Sequence, residues 1–356
     1  MISVLVVDDS PTARDFLEHL LSGPMIQVVG TASNGAEAVE FVKRSRPDVI
    51  TMDIHMPGMD GIEATRRIME TVPVPIVIVS ANWDPGEVEM TFRAMEAGAL
   101  ALVRRPPGAG HPDHEAAVSE LVQKVWLMSE VKVVRRWSRE KMYSLESRTR
   151  PIELRMDVQE RIDVVAMGAS TGGPPVLQTI LNGIPGDFPA PLLIVQHMAP
   201  GFLPGMLGWL RETSALRLSI ASGGEPALPG HAYFAPDGQH LGIGSDGRII
   251  LSSDEREHGA RPSVSYLFRS VAEAYGGNAA GVLLTGMGSD GAPEMKLLRE
   301  KGAVTIAQNK ETSAVYGMPA AAVELDGAVY VLSPEQIPGA LAGMTKKSGA
   351  GGSQNA

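Results

Sequence analysis

Short unbroken runs of Val, Ile and Leu alternate twice along this chain with amphipathic stretches, and that rhythm leaves few folds open. Up to about residue 107 the runs are VLVV, VVGTA, DVITMD, PIVIVS and ALALVRR, with ARDFLEHLLS and GAEAVEFVKRS at helical spacing between them. A strand with one wet face alternates apolar and polar residues, whereas an unbroken apolar run fits a strand covered by helices on both faces. The first part of the chain is therefore expected to be an α/β domain with a five-stranded parallel sheet. The alternation restarts at RIDVVAMGAS, continues through PVLQTILNGI, APLLIVQHMA and FLPGMLGWLRETS, and resumes with SVSYLFRSVAEAYGG, AAGVLLTGMGSDGA and AVTIAQN, the last strand candidate. This predicts a second doubly wound, mainly parallel α/β domain. Residues 216–252 interrupt it, and Asp246-Gly247 between apolar runs signals an inserted β-hairpin.

Between the two blocks lie a loop, PPGAGHPDHE, and then Val118, Leu121, Val122, Val125 and Met128 at helical spacing. A stretch of mixed charge follows, read as a partly helical linker. The expected boundaries are 1–107 for the first domain, 108–158 for its last helix and the linker, 159–345 for the second domain, and 346–356 for a disordered tail. With 41 acidic against 31 basic residues the net charge is −10, which gives broad nucleic-acid binding no electrostatic support. There is no cysteine, hence no thiolate metal site, disulfide or thiol nucleophile. No apolar run approaches the ~18 residues of a membrane span, so no membrane insertion is expected. The opening MISVLVVDDS is acidic where an export signal needs basic residues, and the expectation is a cytoplasmic protein.

Ligands of parallel α/β sheets bind at the carboxyl ends of the strands. Asp8 and Asp9 end the first strand candidate and Asp53 the third, in MDIHMPGMDG. Three carboxylates at one sheet edge repel one another unless a cation joins them, and an all-oxygen donor set favours Mg²⁺. Ser80 ends the fourth strand and Arg105 follows the fifth; a hydroxyl and a cation there suit the oxygens of a phosphoryl group. An Asp at a strand end is otherwise a helix cap or turn residue. In this order the residues resemble the receiver domain of two-component response regulators. The resemblance implies that Asp53 is the phosphoacceptor, that Asp8 and Asp9 hold Mg²⁺ with it, and that Ser80 is the switch hydroxyl. Arg105 stands where receivers usually carry lysine, a planar fork in place of a compact ammonium.

The second block opens with VVAMGASTGGPP. A dinucleotide fingerprint needs a bare glycine where Ser170 stands, and a P-loop needs Lys-Ser or Lys-Thr where Pro174 follows Gly173. The same letters satisfy G-x-S-x-G over residues 168–172, which places a serine on a sharp strand-to-helix turn. A nucleophilic serine needs a base and an orienting acid. His197 follows the strand candidate LLIVQ, and Asp290 lies in the glycine loop TGMGSDGA after GVLL. His231, His240 and His258 occupy polar, turn-rich surroundings and read as ordinary surface histidines. The order Ser, His, Asp, with the serine after the domain's first strand, departs from the α/β-hydrolases.

GASTGG, VQHMAPGF and TGMGSDGA together resemble the catalytic domain of chemotaxis protein-glutamate methylesterases, the CheB family, and a receiver ahead of that domain is the family's architecture. The resemblance runs from Met1 to about Met344. It implies that Ser170, His197 and Asp290 form the triad. It implies a serine esterase, needing no cofactor for that chemistry, that acts on methyl-glutamate and certain glutamine side chains of chemoreceptor cytoplasmic helices, with a chemotaxis histidine kinase as phosphodonor. Candidate oxyanion donors are the peptide N–H groups of Thr171 and Met287. One departure is Ser265 in RPSVSYLF, where the resemblance leads us to expect Asp; the change is expected to concern a nearby loop and to leave the triad untouched. The rival readings are a receiver-controlled scaffold without catalysis and an esterase for a substrate other than a chemoreceptor.

Overall fold

The computed structural model describes residues 1–81, 85–131, 133 and 162–345, and the side chains of all of these except 85–89. Contacts divide the chain into two units, Met1–Ile152 and Glu153–Ala356. The expected linker falls almost wholly outside the described residues, as does the expected tail at 346–356.

In the first unit, β1 (Ile2–Val7), β2 (Ile26–Ala32), β3 (Val49–Met52), β4 (Ile76–Ser80) and β5 (Ala101–Arg104) form one parallel sheet in the order β2-β1-β3-β4-β5. Every expected strand is present, and β1, β3 and β4 are buried almost throughout, as their unbroken apolar runs require. The helices α1 (Pro11–Leu21), α2 (Gly35–Arg44) and α3 (Gly61–Thr71) start where local chemistry dictates. Ser10, Asn34 and Asp60 each accept a hydrogen bond from the backbone N–H three residues on, satisfying an otherwise unpaired helical donor. After α4 (Pro85–Ala97), α5 (His114–Ser129) buries Leu121, Val125 and Met128 and packs against β3, β4 and β5.

The second unit is built on seven parallel strands in the order β14-β13-β12-β6-β7-β9-β8. They are β6 (Val164–Ala169), β7 (Leu192–Gln196), β8 (Arg217–Ile220), β9 (His231–Phe234), β12 (Ala279–Leu283), β13 (Val304–Gln308) and β14 (Tyr330–Leu332). The helices are α6 (Gly173–Gly183), α7 (Leu203–Arg211), α8 (Val264–Tyr275), α9 (Ala292–Glu300), α10 (Met318–Glu324) and α11 (Ile337–Thr345). The hairpin is present as β10 (His240–Ile243) and β11 (Ile249–Ser252), antiparallel, with Gly247 at φ 77° in the turn.

Two expectations needed correction. Residues 216–252 continue the sheet as well as interrupting it, since β8 and β9 join it in parallel with no helix between them. The segment joining them bonds instead to the hairpin, through Gly224 N–H to Ile249 O and Ala227 N–H to Gly247 O. β13 is not the last strand: β14 pairs with it beyond Gln308. The three missed strands, β8, β9 and β14, are three or four residues long, too short for periodicity to register, and β8 and β14 are partly exposed as well. Among the described residues, no helix is long and apolar enough to cross a membrane.

Candidate active site

In both sheets the first strand of the unit has neighbours reached by opposite windings, and this switch point is where a crevice opens above the carboxyl ends. In the first unit the switch lies between β1 and β3, and it brings Asp8, Asp9 and Asp53 together. One oxygen of each carboxylate lies within 4.8 Å of the others. Asp8 and Asp53 are nearly buried and Asp9 is exposed. Burial first, and the neighbouring Asp8 charge second, push the Asp53 carboxyl up to about 6. Asp8 is raised as well, by burial, against the opposing pull of Arg105.

Arg105 reaches back across the sheet edge. Its Nη2 lies 2.5 Å from Asp8 Oδ2 and 3.8 Å from Asp53 Oδ1. Its backbone N–H donates to Ser80 O at 2.9 Å, which sets the buried Ser80 at the same edge. The other Asp8 oxygen accepts from Ser10 N–H at 2.9 Å. Each carboxylate oxygen keeps a further lone pair. The cluster therefore fits a hard divalent cation by donor type and charge, with Arg105 a competing counter-charge inside it.

In the second unit β6 is the central first strand, flanked by β12 and β7. Ser170 follows β6, His197 follows β7, and Asp290 lies in the loop after β12. Ser170 N–H donates to Thr285 O at 3.0 Å, and His197 N–H donates to Ala169 O at 2.9 Å. The Gln196 amide then donates to both Ser170 O at 2.8 Å and His197 O at 2.9 Å, fastening the two strand ends side by side. The glycines of the motif have steric work. Gly172 sits at φ 77°, and a Cβ there would lie 2.5 Å from Ala314 Cβ. A Cβ on Gly286 would lie 2.7 Å from Ser170 Cβ, so the glycine loop after β12 is pressed directly against the serine.

His197 Nε2 approaches Asp290 Oδ2 at 2.9 Å. The ring therefore presents Nε2 to the carboxylate at hydrogen-bond distance. Asp290 is 4% exposed, and its surroundings are specific. Oδ1 accepts from Ser263 Oγ at 2.8 Å and from Ser265 N–H at 2.9 Å, while Oδ2 also accepts from Val264 N–H at 2.8 Å. Burial raises this carboxyl, but the histidine contact and the backbone donors outweigh it and hold the group far below the ordinary carboxylate range. The donors are the first turn of α8, whose positive end favours an anion.

Ser265 is fully buried in helix α8; its hydroxyl accepts the N–H of Gly291 in the loop after β12 at 2.9 Å, and it meets Asp290 through its backbone N–H. One sequence expectation fails here. His240 is no surface histidine, for it is wholly buried, accepts Ser263 N–H at Nδ1 and stacks on Tyr266. Ser263, Ser265, His240 and Gln196 all went unseen as site residues. A serine directly before the apolar run signals a cap at Ser263, but nothing local says what the capped helix will hold. Of the other histidines set aside, His258 is exposed and His231 is half-buried against Tyr233. Thr171 is buried just ahead of α6, and Thr285 Oγ1 donates to its carbonyl at 2.9 Å. Met287, next to Gly286, is 45% exposed.

The profile of the CheB methylesterase family matches residues 165–341, and that of the response regulator receiver domain matches residues 4–110. A protein-glutamate methylesterase/protein-glutamine glutaminase of Nitrosospira multiformis is 52% identical over 353 residues, 98% of each chain. One from Geobacter metallireducens, with the same name and the number 4, is 55% identical over 344 residues, 96% of this chain and 98% of its own. The crystal structure of the Thermotoga maritima CheB methylesterase catalytic domain superposes with a TM-score of 0.50 at 38% identity, covering 51% of this chain and 98% of that one. With a receiver fold ahead of a serine–histidine–aspartate sheet edge, and with this likeness over nearly its whole length, the chain belongs to the CheB methylesterase family.

Proposed function

We propose that this chain is a phosphorylation-regulated serine hydrolase that demethylates methyl-glutamate side chains of chemoreceptors and deamidates selected glutamines there, giving sensory adaptation in chemotaxis. The observation that carries the reading is the buried Asp290 carboxylate 2.9 Å from His197, with Ser170 tied to the neighbouring strand end.

His197 takes the proton of Ser170 as its oxygen attacks the side-chain ester carbonyl, and Asp290 orients the imidazole and balances its charge. Collapse of the tetrahedral intermediate expels the methoxy group, which takes the proton from His197 and leaves as methanol. Water, deprotonated by His197, then attacks the acyl-serine and releases glutamate. With glutamine as substrate, ammonia leaves instead. Thr171 and Met287 N–H are the assigned oxyanion donors; each such donor is worth about 3–4 kcal/mol in the barrier.

In the receiver, Asp8, Asp9 and Asp53 would hold Mg²⁺, which supplies positive charge at the phosphoryl oxygens when bound. Asp53 accepts the phosphoryl group from a chemotaxis histidine kinase, and Ser80 and Arg105 contact its oxygens. A cytoplasmic location follows from the receptor segment acted upon, and the net charge of −10 argues against a nucleic-acid partner. The proposed division is a receiver at 1–107, its last helix and the linker at 108–158, and the esterase domain at 159–345.

The test is methanol release from methylated receptor. Ser170→Ala should abolish it with Tm unchanged, and a serine-reactive fluorophosphonate should label wild type alone. Hydrolysis by the variant at more than a few per cent of wild type would remove the reading, and a wild type that neither labels nor hydrolyses would favour an inert scaffold.

A further inference from the structure

Behind Asp290 the polar contacts continue inward. The hydroxyl of Ser263 donates to Asp290 Oδ1, and the backbone N–H of the same serine donates to His240 Nδ1 at 3.2 Å. The other ring nitrogen of His240 lies 2.9 Å from Glu255 O. A carbonyl can only accept, so His240 Nε2 carries the hydrogen and Nδ1 is the acceptor. Both nitrogens are thus engaged, and the ring is held flat against Tyr266, with centroids 4.8 Å apart. His240 and Ser263 have no exposed surface. The line from Glu255 O through His240 and Ser263 to Asp290 and His197 joins the loop after the hairpin to the catalytic imidazole.

Burial of this kind has a cost that a purely apolar filling would avoid. An imidazole, a hydroxyl and a carboxylate withdrawn from water are tolerated only when each is satisfied, and here each is. Ser263 is the junction: its side chain both accepts from Tyr266 N–H as the helix cap and donates to Asp290. An Asp290 oxygen can meet the histidine only if the first turn of α8 holds the carboxylate in one rotamer. That turn is set by where His240 receives the Ser263 N–H.

We infer that Ser263 and His240 are positioning residues for the esterase reaction, fixing the triad carboxylate against His197 through the start of α8. The inference rests on the Ser170–His197–Asp290 reading above.

The experiment measures kcat and KM for methanol release by the full chain, with Tm alongside, for Ser263→Ala, Ser263→Thr, His240→Phe and His240→Asn. Ser263→Ala should lower kcat about 10- to 100-fold, the worth of one hydrogen bond to a charged group, and leave KM within about twofold. Ser263→Thr keeps the donor hydroxyl and should recover most of the loss. His240→Phe should lower kcat likewise, while His240→Asn, which keeps an acceptor near the Nδ1 position, should be milder. In Ser263→Ala the acid limb of the kcat/KM profile should also move to lower pH, because the protonated base loses a well-placed counter-charge. A purely structural role would lower Tm and active fraction without moving that limb or separating Thr from Ala. The proposal is overturned if Ser263→Ala, folded by Tm, keeps kcat within twofold of wild type, or if Ser263→Thr is as impaired as Ser263→Ala. If Ser170→Ala itself stays active, the esterase reading fails instead, so the two failures are distinguishable.

Discussion

At Ser265 a small hydroxyl occupies a position between two parts of the chain that meet only in the fold. Its Oγ accepts the N–H of Gly291, and its own N–H is given to Asp290. Both contacts are fully buried, so removing the hydroxyl leaves Gly291 N–H without a partner in a place water does not reach. Ser265→Ala should therefore destabilise the second unit by about 1–3 kcal/mol, the cost of an orphaned buried donor, read as a lower midpoint in urea. A midpoint unchanged within error would mean that Gly291 finds another acceptor. The same position illustrates what sequence can offer at this scale: RPSVSYLF marks a helix start and an unusual serine, but not that the serine faces the loop 26 residues on.

Among the elements, the start of α8 matters most, because a helix N-terminus and the buried Asp290 carboxylate have been made into one structure. Val264 and Ser265 N–H, which an isolated helix would leave to water, are spent on Asp290. The sign of the pH dependence follows. Asp290 is depressed in the folded chain, so the unfolded chain binds more protons on acidification. Its contribution to stability is complete above the unfolded carboxylate range near pH 4 and is lost as pH falls from there toward the folded value. Asp290→Asn should melt below wild type at pH 7, and the difference should shrink as pH is lowered from about 5 to about 3. Thermal melts across that range decide it; a gap that widened in acid would reverse the assigned direction. The glycine loops that surround the site were legible as loops. Their direct pressing on Ser170, through Gly286, was not, since close approach depends on β12 being the neighbour of β6.

Over the whole molecule, two α/β units each gather their candidate site residues at the switch point of a parallel sheet, one around three carboxylates and one with a hydroxyl, an imidazole and a carboxylate. The receiver cluster carries more negative charge than the neighbouring Arg105 and Arg14 offset: Asp53 is pushed up to about 6 while Arg105 stays closer to Asp8 than to Asp53. A divalent cation relieves the same repulsion without taking up a proton. Esterase activity of wild type should accordingly rise when a small-molecule phosphodonor is added with Mg²⁺ and stay at its basal level when EDTA is present. Asp53→Ala should remain at that basal level in either case. A phosphodonor response in the Asp53→Ala protein, measured as methanol released, would show that another group receives the phosphoryl.

Much of this was decided by local pattern. Unbroken apolar runs of four to six residues demand burial on both faces, and that demand alone selects parallel sheets with helices on each side; the strand-end positions of Asp8, Asp53, Ser170 and His197 follow from it, because a run of strand must end where its polar residue begins. Strand order is another matter. Nothing in β6, β7 or β12 taken singly states that they are neighbours, and only their pairing puts Asp290 beside His197 and the first turn of α8 around Asp290. The buried partners, Ser263, Ser265, His240 and Gln196, are ordinary polar residues in the sequence. They became site residues because a polar group withdrawn from water must find a partner, and which partner is within reach is settled only when distant segments pack.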